Sequence, residues 1–113
     1  RAGIREEDVI IDPMAMAVSA DPTACSVTLE TIRLVHERLG HNITQGASNI
    51  SFGLPDRENI NNAFMAMSIL YGLTCPIANP EKISGLVRAA DLVLGRDDYA
   101  IRFIEHYQST QMP

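Results

Sequence analysis

The sequence predicts an α/β fold of parallel strands joined by helical crossovers. Short apolar or β-branched runs alternate with longer segments of helical spacing, in the order strand, helix, strand, helix, strand, helix, helix. Polar residues stand at or within a few positions of the end of each strand run, and glycines fall where the helical patterns stop. Alternation of that kind calls for parallel strands with helical crossovers.

Residues 1–8 form a polar lead-in, with Gly3 placed to follow the end of a preceding helix. Val9-Ile10-Ile11 is a continuous β-branched run, as expected of a strand buried on both faces. Pro13, which has no backbone donor and restrains Asp12, stops it. Met14 to Val18 stays apolar, and Ser19 to Thr23 reads as a loop. A helix is expected from Ser26 or Thr28 to Leu39, with Leu29, Ile32, Val35 and Leu39 on one side and Glu30, Arg33, Glu37 and Arg38 on the other. Gly40 ends it. Asn42 to Gln45 is a weakly patterned strand candidate.

A turn of small and amide residues, Gly46 to Arg57, precedes a helix expected over Glu58–Tyr71. Ile60, Ala63, Phe64, Met67 and Leu70 make its stripe, but Met65, Ala66 and Ile69 are apolar too, which predicts burial on more than one side. Gly72 ends it. Cys75 to Ala78 is the third strand. Asn79 as N-cap and Pro80 at the first helical position open another helix, whose core face is Ile83, Leu86, Val87, Ala90 and Leu94 and which Gly95 closes. Asp97 is placed to cap a last helix reaching Tyr107, with Ile101, Ile104 and Tyr107 apolar. Three β/α units neither close a barrel nor make a comfortable open sheet, whereas a (β/α)8 barrel takes about 250 residues. The chain fits the last three units of such a barrel, a C-terminal part of one domain over residues 1–113.

Composition narrows the function classes. The 113 residues carry a formal net charge of −5 with scattered Lys and Arg, which argues against a nucleic-acid partner. No apolar run has the length of a membrane span. The chain begins at Arg1 without a signal-like segment, as expected of the interior of a longer reading frame. Cys25 and Cys75 read as reduced thiols of a cytosolic protein. His36, His41 and His106 share no ligand spacing, so no metal site is expected, and His36 falls on a solvated helix surface. No nucleophile elbow, Walker loop or dinucleotide fingerprint occurs, and the two Asn-x-Ser/Thr matches at Asn42 and Asn49 read as chance. The methionines read first as core.

In a parallel barrel the polar residues after each strand converge on the active face. Those positions hold Asp12, Ser48 with Asn49, and Asn79. A carboxylate beside an amide suits a ligand with amidine-like donors and ring acceptors. On spacing alone the alternatives stay open: Asp-Pro is a common turn, Ser-Asn in a Gly-containing loop serves turn chemistry, Asn79 is a helix cap, and Arg57 is a solvated residue before a helix.

Three strings sharpen the reading: Val9-Ile-Ile-Asp12-Pro13, then Gly46-Ala-Ser-Asn49-Ile-Ser-Phe-Gly-Leu-Pro55-Asp-Arg57, then Ile60-Asn-Asn-Ala-Phe64-Met-Ala-Met. Together with Gly72-Leu-Thr-Cys-Pro-Ile77-Ala-Asn-Pro they resemble the methyltetrahydrofolate:corrinoid methyltransferases over almost the whole chain. The resemblance implies a (β/α)8 barrel of the dihydropteroate-synthase type, usually a homodimer, that moves a methyl group between methyltetrahydrofolate as substrate and the cobalt of a corrinoid (cobalamin) on a partner protein. It implies that Asn49 hydrogen-bonds the methyl-bearing pterin nitrogen and acts in catalysis. Asp12, with Ser48 and Ile77, would bind or line the pterin, and Phe52 and Arg57 would stand at the pocket mouth towards the corrinoid.

The same resemblance implies that the N-terminal strands, with the family's other pterin-binding residues, lie outside this chain. These residues alone are then expected to bind methyltetrahydrofolate weakly or not at all. Dihydropteroate synthase itself would show a Gly-rich continuation after Asp-Pro and a Ser-Arg-Lys string where this chain has Ser48-Asn49-Ile50. The pterin module of a cobalamin-dependent methionine synthase is nearer, and attached domains would separate it. A non-catalytic assembly fragment, with the Glu58–Tyr71 helix as its contact surface, is the non-enzymatic alternative.

Overall fold

A computed structural model describes residues 2–111, which form two compact units, one running as far as Ala78 and one beginning at Asn79. In the first unit, strands β1 (Ile10–Ile11), β2 (Asn42–Gly46) and β3 (Cys75–Ile77) make a parallel sheet in the order β1-β2-β3. Helix α1 (Ala24–Leu39) crosses from β1 to β2, and α2 (Arg57–Tyr71) from β2 to β3. The two helices pack on each other, and α1 packs on β2. Parallel order with in-sequence neighbours is the arrangement expected from the alternating pattern.

The core lies between the sheet and these helices. Ile43 of β2, Ile32 of α1, Met65 of α2 and Ile50 of the intervening turn are essentially inaccessible, with Phe64, Ile69, Ala47 and Leu73 around them. Burying each large side chain stabilises the unit by about 1.5–3 kcal/mol. The register pairs Ile11 with Ile43 and Ile10 with Asn42, so Ile11 shares the helix side while Ile10 takes the other face. That second face carries Ile10 and Ile77, 53% and 63% exposed.

Several elements depart from expectation. β1 is a two-residue edge strand, and Ile10 is not buried, because the helices of this unit cover only one face of the sheet. α1 starts at Ala24, ahead of Ser26, because the Asp21 carboxylate accepts from the Thr23 backbone N–H (2.9 Å) and hydroxyl (2.8 Å) and begins the turn early. Its charged side carries ion pairs of Arg33 with Glu30 and Glu37, and Leu39 is exposed at its end. α2 is buried along one side only, through Phe64, Met65, Ser68 and Ile69, whereas Met67 and Leu70 are exposed. One face meets α1 and the turn that follows β2, and the apolar residues beyond that face remain at the surface.

In the second unit α3 (Pro80–Val93) opens on Asn79, whose side chain accepts from the Glu81 N–H at 3.0 Å. Ile83, Leu86, Val87, Ala90 and Leu94 are half-buried, as the stripe predicts. A 3-10 turn, Asp98–Ala100, precedes α4 (Ile101–Gln111). Asp97 caps α4 by accepting from the Arg102 and Phe103 N–H groups at 3.0 and 2.9 Å. The Arg102 N–H bond, foremost, holds its carboxyl below the usual carboxylate value. The expected apolar side of α4 is wrong in phase: Ile101, Ile104 and Tyr107 are exposed, and Phe103 and His106 are the half-buried positions. The cap fixes where the helix begins, and α3 packs against the Phe103–His106 side: a Cβ on Gly85 of α3 would lie 4.0 Å from His106 Nε2.

Candidate functional site

The C-terminal ends of the three parallel strands bring the candidate residues onto one edge of the first unit. Asp12 follows β1 directly and is exposed. Ala47–Ser51 follows β2 as a 3-10 turn, with Ala47, Ile50 and Ser51 buried and Ser48 and Asn49 exposed. The three-residue repeat of Ala47 and Ile50 anchors the turn, since 3-10 geometry stacks positions i and i+3. Ile77 ends β3 opposite Gly46 in the register and is exposed on the uncovered face of the sheet. Thus Asp12, Ser48, Asn49 and Ile77 stand at adjacent strand ends, as expected. Asn79 instead caps α3 in the second unit.

The Asn49 amide makes no hydrogen bond to other described residues, and its backbone carbonyl accepts from the Phe52 N–H at 3.2 Å. The side chain is therefore held on a bonded turn while its own donors and acceptor face solvent. A Cβ on Gly46 would meet nothing within 4 Å, so the strand end beneath the turn is open.

Arg57 is the first residue of α2, and its guanidinium folds back over the turn. Nε donates to Ser51 Oγ at 2.9 Å and Nη2 to the Ser48 carbonyl at 2.8 Å. Ser51 is fully buried and itself donates to the Ser48 carbonyl at 3.2 Å. Arg57 thus braces the two residues that flank Asn49 and Ile50. Asp56, immediately before it, sits in the left-handed region (φ 55°) and accepts from Asn59 Nδ2 at 2.6 Å. Phe52 is 67% exposed, and its carbonyl accepts from Ser19 Oγ at 2.7 Å. Lys at position 57 would keep the charge but not the fork. In Arg57→Lys the Phe52 and Leu54 amides, which close this turn, should exchange with solvent about tenfold faster. Unchanged exchange at both would show that the brace does not hold the turn.

Gln45, a residue the sequence reading placed only as the end of a strand, is fully buried on the helix side of β2. Its Nε2 donates to the Pro13 carbonyl at 2.8 Å, next to Asp12. The signal available in the sequence was an amide at a core position, two residues after Ile43 in a period-2 pattern.

An apolar groove lined by Cys25, Leu29, Ile60, Ala63, Phe64 and Met67 lies on the helix layer, and none of the candidate residues lines it. Burial pushes the Cys25 thiol up, away from the thiolate form. Among the described residues no group of three His, Cys, Asp or Glu side chains is placed to hold a metal ion, and no helix is long and apolar enough to cross a membrane.

No family model matches the chain. A methylcorrinoid:tetrahydrofolate methyltransferase of Eubacterium limosum is 36% identical to it over 92 residues. The match takes in 77% of this chain but only 33% of that protein, so the chain spans about a third of the length of the curated relative. Over about three quarters of its length, the chain is thus similar to part of a methylcorrinoid:tetrahydrofolate methyltransferase.

Proposed function

We propose that this chain is the C-terminal part of a pterin-binding (β/α)8 domain that transfers a methyl group between 5-methyltetrahydrofolate and the cobalt of a corrinoid held by a partner protein. The observation that carries the reading is the placement of Asp12, Ser48, Asn49 and Ile77 at the ends of three adjacent parallel strands, in a chain related to an enzyme of that name. The one-sided sheet supports the barrel. Parallel sheets are ordinarily covered on both faces, and within the first unit the face with Ile10 and Ile77 is bare. In a barrel that face turns inward, towards side chains of the remaining strands. A cytoplasmic homodimer fits the same reading.

The residues fit a pterin. Ile77 offers an apolar contact for a flat ring, and the Asp12 carboxylate can accept charge-assisted bonds from the pterin's amino and ring N–H groups. Asn49 presents an amide with no other partner among the described residues. The corrinoid, when bound, supplies a strong cobalt nucleophile or, in the reverse sense, the methyl donor. The chain's own contribution is placement and electrostatics. A tertiary amine is a poor leaving group, and the methyl leaves only as positive charge builds on its nitrogen. Asn49 hydrogen-bonds that nitrogen, and a bond that strengthens as the nitrogen takes up a proton lowers the barrier more than it tightens the ground state. An amide supplies no proton at neutral pH, so solvent provides it.

The test uses the full-length protein with methyltetrahydrofolate and free cob(I)alamin, and with tetrahydrofolate and methylcobalamin for the reverse direction. Methyl transfer in either direction is the expected result, with Asp12→Asn raising the pterin KM by about tenfold. No transfer and no pterin binding would overturn the reading. Micromolar binding of methyltetrahydrofolate by residues 1–113 alone would overturn the view that they form only part of the pocket.

A further inference from the structure

Resting on the pterin-site reading, we propose that Gln45 is a positioning residue that fastens the Asp12–Pro13 segment to the strand carrying the Asn49 turn, and so sets the spacing of the two polar walls of the site. The β1–β2 ladder ends at the pair Ile11–Ile43, just before Asp12. From there the chain has no regular structure as far as Ala17, and Pro13 has no N–H with which to extend the ladder. The Pro13 carbonyl is satisfied from the side instead, by Gln45 Nε2 at 2.8 Å. Because the partner is a carbonyl, the end of the amide facing it is the nitrogen.

Gln45 sits where an apolar side chain would be expected. It is 0% exposed, on the same face as Ile43, beneath the helices. Its Oε1 is buried with no hydrogen-bond partner among the described residues. A buried, half-satisfied amide is less favourable for folding than a methionine of similar shape. Its use is the bond to Pro13, one residue from Asp12 and four residues before Asn49. Further bonds fasten the far end of the same loop: the Val18 N–H to the Ile50 carbonyl (3.0 Å) and Ser19 Oγ to the Phe52 carbonyl (2.7 Å). Thr28 Oγ1 holds the Met14 carbonyl at 3.2 Å. The loop after β1 therefore runs beside the Asn49 turn, tied to the preceding strand at its near end and to the turn at its far end. Gln45 is the tie nearest Asp12. Facing the helix layer, it does not touch the pterin and acts through the Pro13 backbone.

The test is a double-mutant cycle in the full-length protein, assayed with methyltetrahydrofolate and cob(I)alamin. Gln45→Met, which keeps volume but cannot donate, is expected to raise the methyltetrahydrofolate KM by about fivefold or more, with kcat within about twofold. Combined with Asp12→Asn, it should add less than about twofold to the KM of Asp12→Asn alone, because the grip that Gln45 aims is already gone. Gln45→Glu should recover a low KM as pH falls, since only the protonated carboxyl can donate to Pro13, while Gln45→Met shows no such recovery. Independent, multiplying effects of Gln45→Met and Asp12→Asn would overturn the proposal. So would an unchanged KM in Gln45→Met beside a raised one in Asp12→Asn, or failure of both position-45 variants to fold. An unchanged KM in Asp12→Asn would instead sink the pterin-site reading itself.

Discussion

On the proposed function, Asn49→Ala in the full-length protein is expected to lower kcat for methyl transfer by about 10²–10³, the range found when one preorganised donor to a developing charge is removed. Its KM for methyltetrahydrofolate is expected to change by less than about tenfold, because on this reading the ground-state amine is a weak partner for the amide. The structure makes the variant a clean one. Asn49 is exposed, its side chain holds nothing else among the described residues, and the turn rests on Ala47, Ile50, Ser51 and the Arg57 brace. Thermal unfolding should therefore stay close to that of the parent. Steady-state kinetics in both directions checks the claim. A loss confined to KM would mean that Asn49 binds the pterin without acting on the transition state. A large fall in unfolding temperature would mean that the amide is structural.

The order of elements was legible because each rests on local chemistry. β-branched Ile10 and Ile11 before Asp12-Pro13, Gly40 and Gly72 after helical stripes, and Asn79-Pro80 at a helix start all act within a few residues. What was not legible depends on partners distant in sequence. The later turns of α2 are apolar nearly all round, but which side is buried is decided by α1 and the turn after β2, so Met67 and Leu70 face outward. β2 looked weak because Gln45 occupies a core position, and its reason, the Pro13 carbonyl, lies 32 residues away. The stripe of α4 was misread because Phe103 and His106 face α3 across unit two, while Ile101 and Ile104 fit helical spacing equally well. At the site, the polar residues after each strand were readable from position. The roles of Gln45 and Arg57 were not, since both act by holding backbone carbonyls of other segments.

Gly72→Ala destabilises the first unit by about 2–5 kcal/mol, combining an overpacked contact with a backbone conformation that L residues rarely adopt. Gly72 ends α2 with φ 128°, and its N–H closes the helix onto the Ser68 and Ile69 carbonyls. A Cβ there would lie 2.6 Å from both Cβ and Cγ of His36 and 3.0 Å from its Nδ1. His36 Cβ is fixed to the α1 backbone, so a rotamer change cannot relieve the contact, and α1 or the end of α2 must shift. The next residues run through Leu73, which is buried, into β3, whose pairing with β2 places Ile77 opposite Gly46. The loss should thus appear as a lower denaturant midpoint and, in kinetics, as a raised pterin KM. The two causes separate in a His36→Gly background, which removes the steric contact at a cost of about 1 kcal/mol for glycine within a helix. There Gly72→Ala should retain only the backbone penalty, about 1–2 kcal/mol. Equal losses in both backgrounds would show that the His36 contact contributes nothing. A loss below about 1 kcal/mol in the parent would contradict the close packing of α1 against the end of α2.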